Sequence, residues 1–70
     1  MIYFFSKDQD FVWCEIHPGT PHVFTFTDSG GKEHVERYHS AADLQDRWSE
    51  ITTQLSQDGW SGPFGRDGRG

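Results

Sequence analysis

The chain contains a single cysteine, Cys14, among its 70 residues. A disulfide bond within one chain is therefore excluded, and other contacts must stabilise the fold. Cys14 lies in an apolar run typical of a strand, where a free thiol normally acts as a small buried hydrophobic group. We predict a structural cysteine in a reducing compartment.

Long apolar runs and a basic leader are also missing. The chain begins Met-Ile-Tyr-Phe-Phe and becomes polar at Ser6. A membrane-spanning helix needs about 20 consecutive, mostly apolar residues. A signal peptide places a basic segment before its apolar one. We therefore expect a cytoplasmic protein with no membrane segment.

Basic residues are scarce. Six Lys and Arg stand against eleven Asp and Glu, and the formal net charge is −5 with histidine neutral. A protein that binds duplex DNA needs a basic footprint to neutralise phosphates. The charge balance therefore argues against that class of protein and favours a soluble chain.

Motifs for catalysis are missing as well. No oxyanion-hole signature adjoins Cys14, and Gly30 and Gly31 lie in a predicted hairpin instead of preceding a helix, so they do not form a phosphate loop. The acidic residues are numerous enough to be explained by a solvated surface. We therefore predict no enzymatic activity and no catalytic residues.

The histidines do not form a recognised metal-binding pattern. They occur in two pairs with a spacing of five, namely His17, His22, His34 and His39. In strands this spacing places the two members of a pair on opposite faces. A zinc ion needs three or four ligands that converge on one point. We therefore predict no metal site and no cofactor.

Aromatic residues are abundant: three Trp, six Phe and two Tyr. A domain of this size buries only about 60% of the surface of its unfolded chain, so its core is marginal. Each buried aromatic side chain removes about 150–250 Å² from water and offsets that weakness. We predict one small domain over residues 1–64 and a flexible Gly- and Arg-rich tail over residues 65–70.

Residues 40–60 predict one complete helix. Ser40 is suited to cap its start, and Gly59 can adopt the left-handed conformation that ends a helix. Trp60 lies where it can fold back on the last turn. Apolar residues recur between these ends at spacings of four, three and four, which places them on one side of the helix: Leu44, Trp48, Ile51 and Leu55. Asp43 and Arg47 are spaced for an ion pair on the solvent side.

The residues before the helix predict four strands, at 2–5, 11–16, 22–27 and 32–38. Residues 2–5 are continuously apolar, which fits a strand buried on both faces. Short connections join all four, so an antiparallel meander is expected. The predicted fold is therefore α+β, a four-stranded antiparallel sheet with one C-terminal helix on one face, in the order β-β-β-β-α.

One helix covers only one face of such a sheet, so aromatic residues are expected on the other. The candidates for this uncovered interaction surface are Tyr3, Phe5, Phe11, Trp13, Phe24 and Phe26. An extended exposed apolar patch usually marks a binding surface. We expect it to bind protein, either a second copy or a different partner. The alternative is single-stranded nucleic acid, whose bases stack on aromatic side chains.

The C-terminal half carries a resemblance. With its amphipathic helix and the segment Gly59-Trp60-Ser61-Gly62-Pro63, the chain resembles a group of short uncharacterised bacterial proteins that share an aromatic, strand-rich first half and a Gly-Trp-x-Gly-Pro close. This resemblance implies a small α+β domain in the bacterial cytoplasm and assigns no activity. The strand order also resembles the β-β-β-β-α unit of PUR-type single-stranded nucleic-acid binders.

Overall fold

The computed structural model describes residues 1–66, which form one antiparallel sheet and one helix. The strands are β1 (Ile2–Lys7), β2 (Asp10–His17), β3 (His22–Thr27), β4 (Glu33–Tyr38) and β5 (Ser61–Arg66), and the helix is α1 (Ala41–Gln57). The strand order in the sheet is β4-β3-β2-β1-β5. The α+β class and the four-stranded meander followed by a helix are thus confirmed.

The predicted fold was wrong in one respect, because a fifth strand follows the helix. β5 pairs antiparallel with β1 and places Phe64 opposite Phe4. The segment contains Pro63 and two glycines, which are unfavourable in strands. Its sequence is therefore typical of a loop. β1 is apolar on both faces because it is an inner strand, with β2 on one side and β5 on the other.

β5 also includes two residues of the predicted tail. Gly65 and Arg66 were assigned to a flexible tail over residues 65–70, but they belong to β5, where they pair with Tyr3 and Ile2. Residues 67–70 lie outside the described part of the chain.

The core lies between α1 and one face of the sheet. The β1–β2 pairing sets Tyr3 opposite Cys14 and Phe5 opposite Val12. The buried residues of this face are joined by those of the helix in one cluster: Phe5, Val12, Cys14, Ile16, Phe24, Leu44, Ile51 and Leu55. The apolar side predicted for the helix is thereby confirmed, with Trp48 partly buried against the same cluster.

Both ends of α1 form as predicted. The Ser40 hydroxyl accepts hydrogen bonds from the backbone N–H groups of Ala42 and Asp43. At the other end Gly59 has a φ of 91°. The N–H of Trp60 donates to the carbonyl of Leu55 at 2.9 Å, which is the bond of a Schellman motif that spans the larger number of residues. The helix is therefore capped by local contacts at both ends.

An ion pair joins α1 to β4. The Arg47 guanidinium donates to both carboxylate oxygens of Glu36, at 2.9 and 3.2 Å, and also to Glu50 at 2.6 Å. The Tyr38 hydroxyl donates to the same Glu36 at 2.7 Å. Arg47 thus pairs with these two carboxylates instead of with Asp43, the partner expected from helical spacing.

Within residues 1–66, no helix has both the length and the apolar character that crossing a membrane requires.

Candidate interaction surface

The sheet face that α1 leaves uncovered, here called the open face, is determined by β2. Val12, Cys14 and Ile16 point into the core, so Phe11 and Trp13 point to the opposite face. Because side chains alternate along a strand and match across a ladder, Phe4 shares that face through its pairing with Trp13. Side chains along β2 therefore alternate between the core and the open face.

Five apolar side chains from β1, β2 and β5 form a continuous group on the open face, here called the apolar patch: Ile2, Phe4, Phe11, Trp13 and Phe64. Phe4 lies at its centre. The Phe4 ring centroid is 5.4 Å from that of Phe64 and 6.3 Å from that of Phe11. These separations are typical of aromatic pairs in contact. The patch is therefore one connected surface.

The patch is exposed despite its apolar character. Ile2 is 46% exposed, Phe11 51%, Trp13 47% and Phe64 45%, and Phe4 between them is half-buried. With aromatic side chains of about 150–250 Å², the patch leaves on the order of 400 Å² of apolar surface in water. The largest such patches on soluble monomers span about 300–600 Å² and are often functional.

The six residues predicted for the interaction surface do not lie together. Phe11 and Trp13 belong to the apolar patch. Phe5 and Phe24 are 1% and 0% exposed beneath α1, so the expectation that they contribute to an uncovered surface is wrong for both. Tyr3 and Phe26 also lie on the helix-covered face, partly buried against the core. The cause is register, because these four residues align with Val12, Cys14 and Ile16.

Sequence reasoning missed three members of the patch: Ile2, Phe4 and Phe64. A signal for the first two was present in β2, where one face is entirely apolar and the other contains Glu15. The apolar face belongs under the helix. A two-residue turn then sets Lys7 opposite Asp10 and hence Phe4 opposite Trp13. No comparable pattern indicated Phe64, because the sequence around it is typical of a loop.

Charge near the patch is acidic where the side chains are described. A shallow depression of about 400 Å³ is lined by Ile2, Phe4, Phe11, Trp13 and Glu15. Glu15 is the one ionisable group of that lining, and its carboxylate lies 3.0 Å from Nε2 of His17. An apolar depression whose one ionisable group is a carboxylate is suited to an apolar protein surface and is unfavourable for phosphates.

The potential nucleophile Cys14 is buried, as predicted. It is 0% exposed, and burial raises the pKa of its thiol to about 12. Since the thiolate is the reactive form, this cysteine stays protonated and inert at neutral pH.

The histidines are separated as well. His17 contacts Glu15, and His34 lies 3.5 Å from Asp28. His22 accepts a hydrogen bond from the Gly19 N–H. Residues 1–66 contain no group of three or more metal-ligating side chains in one place.

No protein-family model matches the chain, and neither the curated proteins nor the solved structures contain a match. Its function is therefore inferred from its own residues.

Proposed function

We propose that the protein is a non-enzymatic interaction module of the cytoplasm that buries its apolar patch against the same patch of a second copy. The observation that carries this proposal is the exposure of Ile2, Phe11, Trp13 and Phe64, each between 45% and 51%, around a central Phe4. Transfer of such surface from water is favourable by about 25 cal/mol per Å².

The size of the domain favours a second copy as the occupant. Domains below about 70–80 residues seldom obtain enough stability from one core, and they add disulfides, a structural metal or oligomerisation. Here the single cysteine excludes an intrachain disulfide, and residues 1–66 hold no metal-ligand cluster. Oligomerisation is another of these means, and two-fold dimers are its commonest form.

The shape of the open face is suited to this contact. Two sheets pack face to face about 10 Å apart, with side chains of the facing surfaces interdigitating. The patch supplies about half of the roughly 800 Å² that each partner contributes to a standard interface. Val23, Thr25 and Thr27 extend the same face across β3. A face-to-face dimer therefore has sufficient area.

The test is truncation of the patch. Trp13→Ala should weaken self-association at least tenfold in sedimentation equilibrium, because large aromatic side chains dominate interface energies. Thr53→Ala, on the exposed side of α1, is the matched control and should leave association unchanged. Equal dissociation constants for the wild type and Trp13→Ala would refute the proposal.

Single-stranded nucleic acid is the second candidate, favoured by the aromatic side chains of the patch, on which bases can stack. Titration with a short fluorescent oligonucleotide separates the two. Binding that falls steeply with salt and is lost in Trp13→Ala would favour nucleic acid, since phosphate contacts release counterions. The proposal that the patch is a protein interface predicts no binding of the oligonucleotide.

A further inference from the structure

The described sheet has two outer strands, β4 and β5, which differ in their capacity to accept another strand. β5 contains Pro63, which has no N–H to donate, and its pairing with β1 is interrupted by a register shift. β4 contains no proline and pairs with β3 in regular register along all its residues. Its outer side is therefore the better template for an added strand.

The hairpin between β3 and β4 shows which backbone groups of β4 point outward. The Asp28 N–H donates to the Lys32 carbonyl at 3.0 Å, so the position of Asp28 and Lys32 is a hydrogen-bonded one in the ladder, although the Lys32 N–H itself donates to the Asp28 side chain. Hydrogen-bonded and non-bonded pairs alternate along an antiparallel ladder. The even-numbered residues of β4 are thus bonded to β3. The N–H and C=O groups of Glu33, Val35 and Arg37 point away from it.

The side chains of these three residues lie on the open face, in register with Thr27, Thr25 and Val23 of β3. All three are exposed, Val35 to 44%. An acid lies on one side of the central apolar residue and a base on the other. Charges on an edge strand normally discourage pairing. Here their order makes the strand complementary to itself.

We propose that β4 pairs antiparallel with β4 of a second copy about a two-fold axis at Val35. Val35 then lies opposite its own copy, and Glu33 lies opposite Arg37 at both ends of the contact. Each of the three outward-facing pairs exchanges two N–H···O bonds. Opposite charges directly across a ladder stabilise it.

Other registers are less favourable. A shift that centres the two-fold axis on Glu33 sets two carboxylates against each other, and one centred on Arg37 does the same with two guanidinium groups. Intermediate shifts place a charge opposite Val35 and shorten the ladder. The register centred on Val35 is therefore favoured by both charge and overlap.

This contact is independent of the proposed function. It uses the free edge of β4, whereas the apolar patch lies on β1, β2 and β5. Pairing at the edge places the helices of both copies on one side of a continuous sheet and both open faces on the other. The two contacts can therefore form in the same assembly.

A cysteine at the two-fold axis tests the pairing directly. Hydrogen-bonded partners in an antiparallel ladder have Cα atoms about 5.5 Å apart, within the range that a disulfide bridges. Val35→Cys should therefore form a covalent dimer under mild oxidation, seen by intact mass. The native Cys14 is 0% exposed and does not compete. Thr53→Cys, on the exposed side of α1, reports random collision and should form dimers at least tenfold more slowly.

Charge reversal then identifies the register. In the Val35→Cys protein, Arg37→Glu should slow disulfide formation at least tenfold, because it places carboxylates on both sides of each flanking pair. Adding Glu33→Arg to the same chain should restore the rate of the Val35→Cys protein. Mixing the Glu33→Arg and Arg37→Glu chains should give mainly the mixed dimer.

Trp13→Ala separates this proposal from the proposed function. The Val35→Cys dimer should form at an unchanged rate in the Trp13→Ala protein, because the edge does not use the patch. Loss of the dimer there would mean that the cysteines meet across the open faces, and it would overturn edge pairing. A Val35→Cys rate equal to that of Thr53→Cys, or insensitive to charge reversal, would overturn it as well.

Discussion

Gly62 is the residue with the strictest requirement for its identity. Its φ is 137°, a conformation that L side chains rarely adopt. A Cβ atom at this position would lie 2.8 Å from Cδ2 of the buried Phe5 and 2.9 Å from the carbonyl oxygen of Phe4. Neither neighbour can withdraw easily, since one is in the core and the other is backbone. Gly62 thereby allows β5 to approach β1.

Gly62→Ala should therefore destabilise the protein by about 2–4 kcal/mol, because backbone strain and a core clash act together. Gly31→Ala is a matched control, since Gly31 also has a positive φ, 86°, but a Cβ there meets no atom within 4 Å. It should cost only about 1 kcal/mol. Urea unfolding measures both, and equal losses would contradict the close approach of β5 to Phe5.

Glu36 illustrates a contact that sequence spacing could not predict. The hydrogen bond from the Arg47 guanidinium lowers the pKa of the Glu36 carboxyl, and the Tyr38 hydroxyl adds to the effect. Arg47 is in α1 and Glu36 in β4, so their meeting depends on where the helix crosses the sheet. Helical spacing offered Asp43 instead, because it describes only contacts within one helix.

The lowered pKa predicts a pH dependence. The ionised Glu36 stabilises the folded state at neutral pH, and this contribution is lost as pH falls through the depressed pKa. Since both side chains are about one-third exposed, at 32% and 33%, Glu36→Gln should cost only about 0.5–1 kcal/mol at pH 7. The cost should approach zero at an acidic pH below the depressed pKa, where the carboxyl is protonated in both the folded and the unfolded state.

Urea unfolding of the wild type and of Glu36→Gln at both pH values measures this difference. Glu50→Gln is the control: its carboxylate is 65% exposed and lies on the same helix as Arg47, so its effect should be smaller. A Glu36→Gln effect that is the same at both pH values would show that the carboxylate's charge does not contribute.

At the scale of elements, local patterns predicted α1 and the meander well. The helix has its cap at Ser40, its stop at Gly59 and its apolar residues between them, all encoded within a short stretch. β5 lacked a local signal, since its residues form a strand only because β1 offers a free edge. The double-sided apolar character of β1 was the available clue, because an edge strand in a four-stranded meander needs no second apolar face.

The candidate surface was predictable in part. Trp13 and Phe11 were correctly associated with an open face, whereas Phe5 and Phe24 were wrongly included. Which aromatic residues the helix covers depends on strand register, and one residue of register exchanges the two faces. Phe64 depends on β5 and therefore on the tertiary fold.

At the scale of the whole molecule, the two sheet faces differ in how much of their apolar surface is buried. One face lies under α1 with Phe5, Cys14 and Phe24 almost fully buried. The other exposes the apolar patch to water. A second copy that covers this face would give the sheet a core on both sides, as β-sandwiches have. The central claim is therefore that the open face is an interface.

The most direct test is sedimentation velocity of the wild-type protein over a wide concentration range, at low and high salt. The account predicts a shift from the 8.1 kDa monomer to a dimer of about twice that mass, and to a larger species where the β4 edges pair as well. This dimer should persist or strengthen in a salting-out salt such as sulfate, because such salts favour apolar burial. A monomer at every concentration, or a dimer that dissociates fully at high salt, would contradict it.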